Sequence, residues 1–509
     1  MVRWCGKIER VRGTMDYVLA IDQGTTGTTV LLVNEEGEVA ESVYAELRQI
    51  YPRPGWVEHD SEEIWRSTAG LIRKLLSRSQ VSSSQIKAIG ITNQRETTIV
   101  WEAETGRPVH NAIVWQCRRT ADMCDQLREK GLEEKVRDKT GLILDPYFSA
   151  TKLAWIIRDV KPEGEILFGT VDSWLIWRMT GGRTHATDQT NASRTMLFNI
   201  HELRWDEELI GIFNVGAVRL PEVLPSSACY GVAQEPSEIE GIPICGVAGD
   251  QQASLFGQAC FERGETKNTY GTGCFLMMQT GEKPVYSNEG LLTTLACSVT
   301  EKPRYALEGS VFIAGAAVQW LRDGLGIIES AAQSEEMALS VEDTGGVYVV
   351  PAFTGLGAPY WDSRARGAIL GITRGTRKEH IVRATLEAIA HQVADVMEAM
   401  ERDSGVKISA LRVDGGGSVN DFLMQFQSDI LNLPVERSKY RETTSLGAAY
   451  LAGLSIDMWD LDRIRSLRKV NRTFTPQMED ERRILLRRKW KEAVGRVLTR
   501  CGCNGNTPS

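Results

Sequence analysis

Asp22 and Asp250 are the carboxylates best placed to do chemistry. Asp22 closes the short apolar run Tyr17-Val-Leu-Ala-Ile-Asp22, and Asp250 lies just past the run Ile242 to Val247. Both runs read as strands, so each carboxylate falls at or just beyond a strand's carboxyl end, beside a glycine-rich turn. A phosphoryl-transfer enzyme must hold a metal ion and an acceptor hydroxyl in line with the transferred group, and carboxylates are the usual ligands of hard cations. A buried salt bridge or a turn cap would account for either aspartate alone. Two loops offer phosphate-sized cradles. Gly24-Thr25-Thr26 and Gly271-Thr272-Gly273 can each present backbone N–H groups and hydroxyls within a tight turn, and together they could grip a polyphosphate from two sides. Taken singly, each is also an ordinary turn.

A third group of residues suits a small polyhydroxy ligand. Asn93-Gln-Arg-Glu-Thr97 sets five polar side chains between two strand-like runs, and Arg95 with Glu96 could meet several hydroxyls by charge-assisted hydrogen bonds. A surface turn is the alternative. Trp115 and Tyr147 could cover the carbon face of such a ligand, with the Tyr147 hydroxyl as an added contact; each alone reads equally as a core aromatic. Gly415-Gly-Gly417 and Asn420 follow the run Leu411-Arg-Val-Asp414. That side-chain-free surface could admit a flat base against the backbone, or simply be a tight turn capping the helix that begins near Asn420.

These residues need elements to hold them. Tyr17 to Asp22 reads as a central strand, Val30 to Val33 as its hairpin partner and Val39 to Leu47 as a third strand. Because Asp22 to Val33 turns back as a hairpin, with no Gly-Lys-Ser/Thr opening a helix, a Walker-type loop is excluded. Helices are expected over 60–79, 149–159 and 379–400, the last with the apolar stripe Val382, Leu386, Ile389, Val393, Met397 and Met400. Further strands are expected over Ile86–Ile91 and Thr97–Trp101. The strand, Gly/Thr turn, strand order recurs over Thr266 to Met278, which suggests a duplicated unit. A chain of 509 residues exceeds one ordinary core. The expected division is an N-terminal extension over 1–16, a first α/β domain over 17–256 and a second over 257–509, with the site in the cleft between them.

The net charge of -8 gives no overall attraction to nucleic acid. Nor is there an apolar run long enough for a membrane span, so stable membrane insertion is not expected. The leading residues lack the apolar core of a secretion signal, and translation could begin at Met1 or at Met15. Ten cysteines are scattered along the chain without a Cys/His cluster for zinc. Cys245, Cys274 and Cys297 sit in apolar runs and read as small buried residues of a reducing cytoplasm, with a structural disulfide as the alternative.

Eight ordered segments between about Tyr17 and Val494 resemble the FGGY family of carbohydrate kinases. They are Asp22-Gln-Gly-Thr-Thr26, Ile91-Thr-Asn-Gln-Arg-Glu-Thr-Thr98, Val114-Trp-Gln-Cys-Arg-Arg119, Asp145-Pro-Tyr-Phe-Ser149, Gly249-Asp-Gln-Gln252, Asn268-Thr-Tyr-Gly-Thr-Gly273, Gly355-Leu-Gly-Ala-Pro-Tyr-Trp-Asp362 and Val413-Asp-Gly-Gly416. The resemblance implies two actin-like ATPase (ribonuclease H-like) domains, with ATP and Mg²⁺ in the cleft between them. Within the family the segments are most similar to the glycerol-phosphorylating members, with another small polyol or sugar as the alternative substrate. It further implies that Arg95, Glu96, Tyr147, Asp250 and Gln251 hold glycerol while Trp115 and Phe275 pack on its carbons. Asp250 would accept the proton of the attacking hydroxyl, with a share in the metal, and Asp22 would help hold Mg²⁺. Gly24, Thr25, Thr26, Thr272, Gly273, Gly315 and Gln319 would contact the nucleotide's phosphates and neighbouring groups, and Gly416, Gly417 and Asn420 its adenine. A cytoplasmic homodimer or homotetramer is expected.

Two departures from the family pattern stand out. Thr29 occupies a position where some bacterial members carry an arginine. The stretch Glu235-Pro-Ser-Glu-Ile-Glu-Gly241 replaces a Gly/Arg-containing loop through which some members respond to fructose 1,6-bisphosphate. An acidic loop repels a bisphosphate, so that inhibition is expected to be weak or absent.

Overall fold

Two sheets built on one plan organise the chain. The computed structural model describes residues 15–300, 302–362 and 364–499, so the leading fourteen residues and Cys501-Gly-Cys503 lie outside the described residues. In the first sheet, β1 (Tyr17–Gln23), β2 (Gly27–Asn34) and β3 (Val39–Glu46) form an antiparallel meander. The hairpin register sets Asp22 opposite Thr29. After α1 (Ser61–Ser79), strand β4 (Ile86–Asn93) returns parallel to β1. The edge strand β5 (Ser227–Val232) then turns into β6 (Pro243–Gly249), which lies parallel to β4. The order across the sheet is β5-β6-β4-β1-β2-β3.

The second sheet repeats this plan. Strands β7 (Thr266–Tyr270) and β8 (Cys274–Gly281) make the hairpin, followed by β9 (Leu292–Leu295), β10 (Tyr305–Val311), β11 (Leu411–Asp414), β12 (Val435–Ser438) and β13 (Val470–Phe474). Their order is β9-β10-β8-β7-β11-β12-β13. The segment β10-β8-β7-β11-β12 matches β3-β2-β1-β4-β6 in order and in every strand direction. The two hairpin turns match as well: Gly24 N–H donates to Gly27 O at 2.9 Å, and Gly271 N–H to Gly273 O at 2.8 Å.

The expected helices form. Asp60 caps α1, its carboxylate accepting from Glu62 N–H, and Ile64, Trp65, Ile72 and Leu75 face the first sheet. The helix expected over 149–159 is α-helical from Ser149 to Trp155 and continues as a wider turn to Val160. The strand expected over Thr97–Trp101 runs instead from Ile99 to Glu102, because Arg95 and Glu96 turn into the site described below and Thr98 bridges to Ile113. The long helix extends a little beyond the expected 379–400 at both ends, over Lys378–Ser404; its stripe from Leu386 to Met400 is buried against the second sheet, and Val382 packs with Leu321, Ile328 and Met337. It stops at Gly405, whose φ of 65° ends the helix in the left-handed region.

The two units interlock through a helix from each. Helix α2 (Asp250–Gly257) continues directly from β6 and reaches the second sheet. The helix Thr443–Ser455, encoded far downstream, lies across the first sheet and buries Leu446, Ala449 and Leu451 with Val18, Ala20 and Ala248. The two helices cross at glycines. A Cβ on Gly447 would lie 1.8 Å from the Ala253 carbonyl oxygen, and one on Gly257 would lie 2.0 Å from that of Thr443. Only side-chain-free positions permit that approach, and it brings the N-terminal end of α2, with Asp250, to the boundary between the units.

Candidate active site

Asp250 opens α2, where its Oδ1 accepts from Gln251 N–H at 2.7 Å and meets Arg95 Nε at 3.1 Å. One carboxylate oxygen is thereby anchored. The side chain keeps 28% of its surface exposed, and among the described residues Oδ2 takes no hydrogen bond. Such an oxygen is free to accept a proton.

Arg95 is fixed with similar force. Its side chain is 2% exposed, and its two terminal nitrogens meet Glu308 at 2.6 and 3.0 Å in a bidentate pair. Nη1 also donates to Gln252 Oε1 at 3.1 Å, and Nη2 to the Tyr147 hydroxyl at 3.4 Å. Glu96, held at a φ of 62°, turns its carboxylate to Arg194 Nε at 2.6 Å, and Arg194 reaches Glu308 at 3.1 Å. Four buried charges, two of each sign, therefore close a ring beside Asp250. Burial alone would raise the Glu308 carboxyl, but Arg194 and Arg95 outweigh it and hold it down to about 2. Glu96 is raised, because burial dominates its two arginine partners.

The aromatic wall comes from both units. Trp115 meets Tyr147 edge-on at 5.3 Å and faces Phe275 of β8 at 6.4 Å. The indole N–H of Trp115 donates to Thr25 Oγ1 at 2.8 Å, which ties the wall to the first phosphate-type loop. The turn carrying Tyr147 is braced at both ends: Asp145 accepts from Tyr147 N–H and pairs with Arg118 at 2.6 and 3.0 Å, and the buried Lys152 ammonium donates to the carbonyls of Pro146, Tyr147 and Phe148.

Lys267 enters from β7. Fully buried, its Nζ donates to Gln251 Oε1 at 2.6 Å and to Thr269 Oγ1 at 3.0 Å. Burial lowers its pKa to about 8, against the attraction of Asp414 and Asp250, so the ammonium persists at neutral pH. An ammonium only donates, so Gln251 must turn its carbonyl to Lys267 and its Nε2 away. Among the described residues Nε2 has no protein partner.

Asp22 accepts from Ser445 Oγ at 3.0 Å. Burial pushes its carboxyl up to about 7, opposed by the Ser445 hydrogen bond and reinforced by the charges of Asp250 and Glu442. Two carboxylates close enough to repel are a natural seat for a cation. No group of three or more His, Cys, Asp and Glu side chains encloses a metal among the described residues. The donor set therefore fits an ion that keeps several waters and takes phosphate oxygens, as Mg²⁺ does.

On the second unit, Thr272 is exposed in its turn, and its carbonyl, with that of Gly271, accepts from the N–H groups of Ala314, Gly315 and Ala316. A Cβ on Gly315 would lie 2.5 Å from Gly271 O, so the helix start and the turn make one surface. Gln319 is exposed one turn further on. Gly415, at a φ of 84°, lies against the Tyr270 carbonyl, which sets the glycine run beside the same turn. Gly416 faces open space. Asn420 spends its carbonyl capping the helix Asp421–Leu431, accepting from Leu423 N–H at 2.8 Å; its Nδ2 lies 3.4 Å from Ser334 Oγ.

Sequence reasoning thus singled out residues that do converge: Arg95, Glu96, Trp115, Tyr147, Asp250, Gln251 and Phe275 form one connected cluster, joined to Thr25. It missed Glu308, Arg194 and Lys267. The one available signal was an ionisable residue inside an otherwise apolar strand, as in Tyr305-Ala-Leu-Glu-Gly-Ser-Val311. A separate groove of about 620 Å³, lined by Trp65, Arg107, Trp177, Arg178 and Glu235 among others, involves none of these residues.

Two interlocked α/β units of repeated plan, with carboxylates, glycine turns and a buried polar cluster at their boundary, define a two-domain phosphotransferase of the actin-like ATPase type. The chain belongs to the FGGY family of carbohydrate kinases: residues 17–257 match the family's N-terminal domain and residues 266–456 its C-terminal domain. Glycerol kinase 2 of Thermotoga maritima is 59% identical over 491 residues, covering 95% of this chain and 99% of that protein. The glycerol kinase of Caldanaerobacter subterraneus subsp. tengcongensis is 57% identical over 489 residues, covering 95% and 98%. The crystal structure of Plasmodium falciparum glycerol kinase with ADP superposes with a TM-score of 0.89 at 40% identity, covering 96% of this chain and 99% of that one. A gluconate kinase from Lactobacillus acidophilus shares the fold at a TM-score of 0.86 and 22% identity, with 95% and 97% covered.

Proposed function

We propose that this chain is an ATP-dependent glycerol kinase, transferring the γ-phosphoryl group to a terminal hydroxyl of glycerol to give sn-glycerol 3-phosphate. The observation that carries the reading is Asp250, with one oxygen anchored by Arg95 and Gln251 and the other without a hydrogen bond, in the cluster that also holds Trp115, Tyr147 and Phe275. The substantial identity to glycerol kinases supports the choice of substrate. Asp250 orients the hydroxyl and accepts its proton as the bond to phosphorus forms. Arg95, Glu96, Tyr147 and Gln251 hold the hydroxyls, and Trp115 and Phe275 cover the carbons. Thr25, Thr26, Gly24, Thr272 and Gly273 take the phosphates, while Gly315, Gln319, Gly416, Gly417 and Asn420 take the rest of the nucleotide. Asp22 and Asp250 would hold Mg²⁺, which when bound neutralises phosphate charge. The reading includes a division into domains at residues 256 and 257 and a cytoplasmic homo-oligomer. No described helix is long and apolar enough to cross a membrane. ADP release measured with glycerol, with longer polyols and sugars, and with no acceptor tests the proposal: turnover confined to glycerol is expected, and equal turnover on a pentulose or without acceptor overturns it.

Lys267 supplies a finer test. Lys267→Met frees Gln251 to turn its amide and is expected to raise KM for glycerol roughly tenfold, the loss of about 1–1.5 kcal/mol from one charge-assisted contact. The wild-type kcat/KM should fall as pH rises through about 8, where the ammonium discharges, and the variant should be flat there. Glu238, in the acidic stretch that replaces the bisphosphate-responsive loop, pairs with Arg73 at 3.2 Å. Titration with fructose 1,6-bisphosphate should leave turnover unchanged; micromolar inhibition would refute this.

A further inference from the structure

Two thiols that the reaction does not use lie side by side at the open edge of the first sheet. Strand β5 is the edge, paired antiparallel with β6. Cys229 on β5 and Cys245 on β6 meet at the irregularity between the Ser227–Gly246 and Gly231–Ile244 pairs, where the Cys245 side chain is near enough to influence the Cys229 thiol. No disulfide joins them. Ser227 donates to Leu451 O of the helix Thr443–Ser455 at 3.0 Å, and alternation along a strand puts Cys229 on that same face. Cys245 is buried on that face with Ala248, Ala449 and Ala452. Cys229 is exposed, whereas the six other described cysteines are buried. One thiol is therefore reachable from solvent, and its partner waits directly behind it.

We propose that Cys229 and Cys245 form a thiol–disulfide exchange site, at which Cys229 attacks a low-molecular-weight disulfide and Cys245 resolves the product into a bond within the chain. In the first step the Cys229 thiolate attacks one sulfur of the disulfide, forming a mixed disulfide and expelling a thiolate. In the second, the Cys245 sulfur attacks Cys229, forming the Cys229–Cys245 bond and expelling the other thiolate. The two protein protons end on the two released thiols, and two electrons pass from the protein to the small disulfide. The two cysteines lie outside the paired register, but adjacent strands run about 4.7–4.9 Å apart, inside the range of about 4.4–6.8 Å at Cα that a disulfide spans. The neighbouring Cys245 side chain also lowers the pKa of Cys229, against the effect of burial, which favours Cys229 as the attacking thiolate. The site asks nothing of glycerol or ATP, so it stands or falls apart from the proposed reaction.

The test is incubation of the full chain with glutathione disulfide, an acid quench, and mass measurement of the intact chain and its peptides. In the wild type, a peptide pair joined through Cys229 and Cys245 and lighter by two hydrogens is expected. Cys245→Ser should trap glutathione on Cys229. Cys229→Ser should show neither product, with Cys245 reacting only after unfolding in urea. Unchanged turnover of both variants before oxidation reports that they fold. A wild type that keeps glutathione on Cys229 without forming the linked pair overturns the proposal. So does a Cys245→Ser variant in which Cys229 stays unmodified.

Discussion

Asp250→Asn is expected to fold, to bind glycerol and ATP, and to lose turnover by roughly a thousandfold, the scale of a lost general base. The substitution preserves shape. Its amide oxygen can still accept from Gln251 N–H and Arg95 Nε, the two contacts that anchor the carboxylate. What it removes is the second oxygen's capacity to take a proton. Binding and chemistry should therefore separate: calorimetric affinity for glycerol changes little, while ADP release in the presence of glycerol collapses. Retention of most of the activity would move the proton elsewhere, and Asp22, with its carboxyl raised to about 7, would become the candidate. A collapse of binding together with turnover would instead make Asp250 chiefly a substrate ligand.

Much of this arrangement was legible because its signals are local. The run Tyr17 to Asp22 and its Gly/Thr turn announce a strand and a hairpin within a dozen residues, and the stripe from Val382 to Met400 can only be one face of a helix. The second copy of the hairpin, at Thr266 to Met278, pointed to the duplication that the matching sheet orders bear out. Asp250 and the Arg95–Glu96 pair stood out because polar residues crowd a turn between apolar runs. Glu308 gave no such signal: its partners Arg95 and Arg194 lie 213 and 114 residues away, and a single sequence does not reveal which distant charges will meet. Lys267 was hidden in the same way, as a strand residue whose partner Gln251 belongs to the other sheet's helix. Gly257 and Gly447 gave no signal either, since only the crossing of their helices gives each a backbone carbonyl to accommodate. Asn420 carried two readings from the start, and its carbonyl proves committed to capping a helix.

Glu308→Ala should destabilise the fold by about 3–5 kcal/mol, the cost of stranding buried charge after one partner is removed. Glu308 is the second unit's contribution to a ring whose other members, Arg95, Glu96 and Arg194, all belong to the first. Without it two buried guanidiniums face each other with Glu96 and the partly exposed Asp250 as their remaining carboxylates. The pH dependence should carry the same signature. The folded Glu308 carboxyl sits at about 2 against an ordinary 4.5, so its stabilisation is complete above the ordinary value and is lost as pH falls toward 2. Urea unfolding from pH 7 down to pH 3 should show a steeper loss for the wild type than for the variant. Removing a cation along with the anion should help: Arg194→Met with Glu308→Met leaves Arg95 balanced by Glu96 and Asp250, and the double variant is expected to be more stable than the Glu308→Met single. Turnover should fall even where the fold survives, because the bidentate pair aims Arg95 Nε at Asp250. A stability loss below about 1 kcal/mol, the scale of an exposed pair, would mean that Glu96 and Asp250 already balance both arginines, and that the second unit holds Arg95 by packing and not by charge.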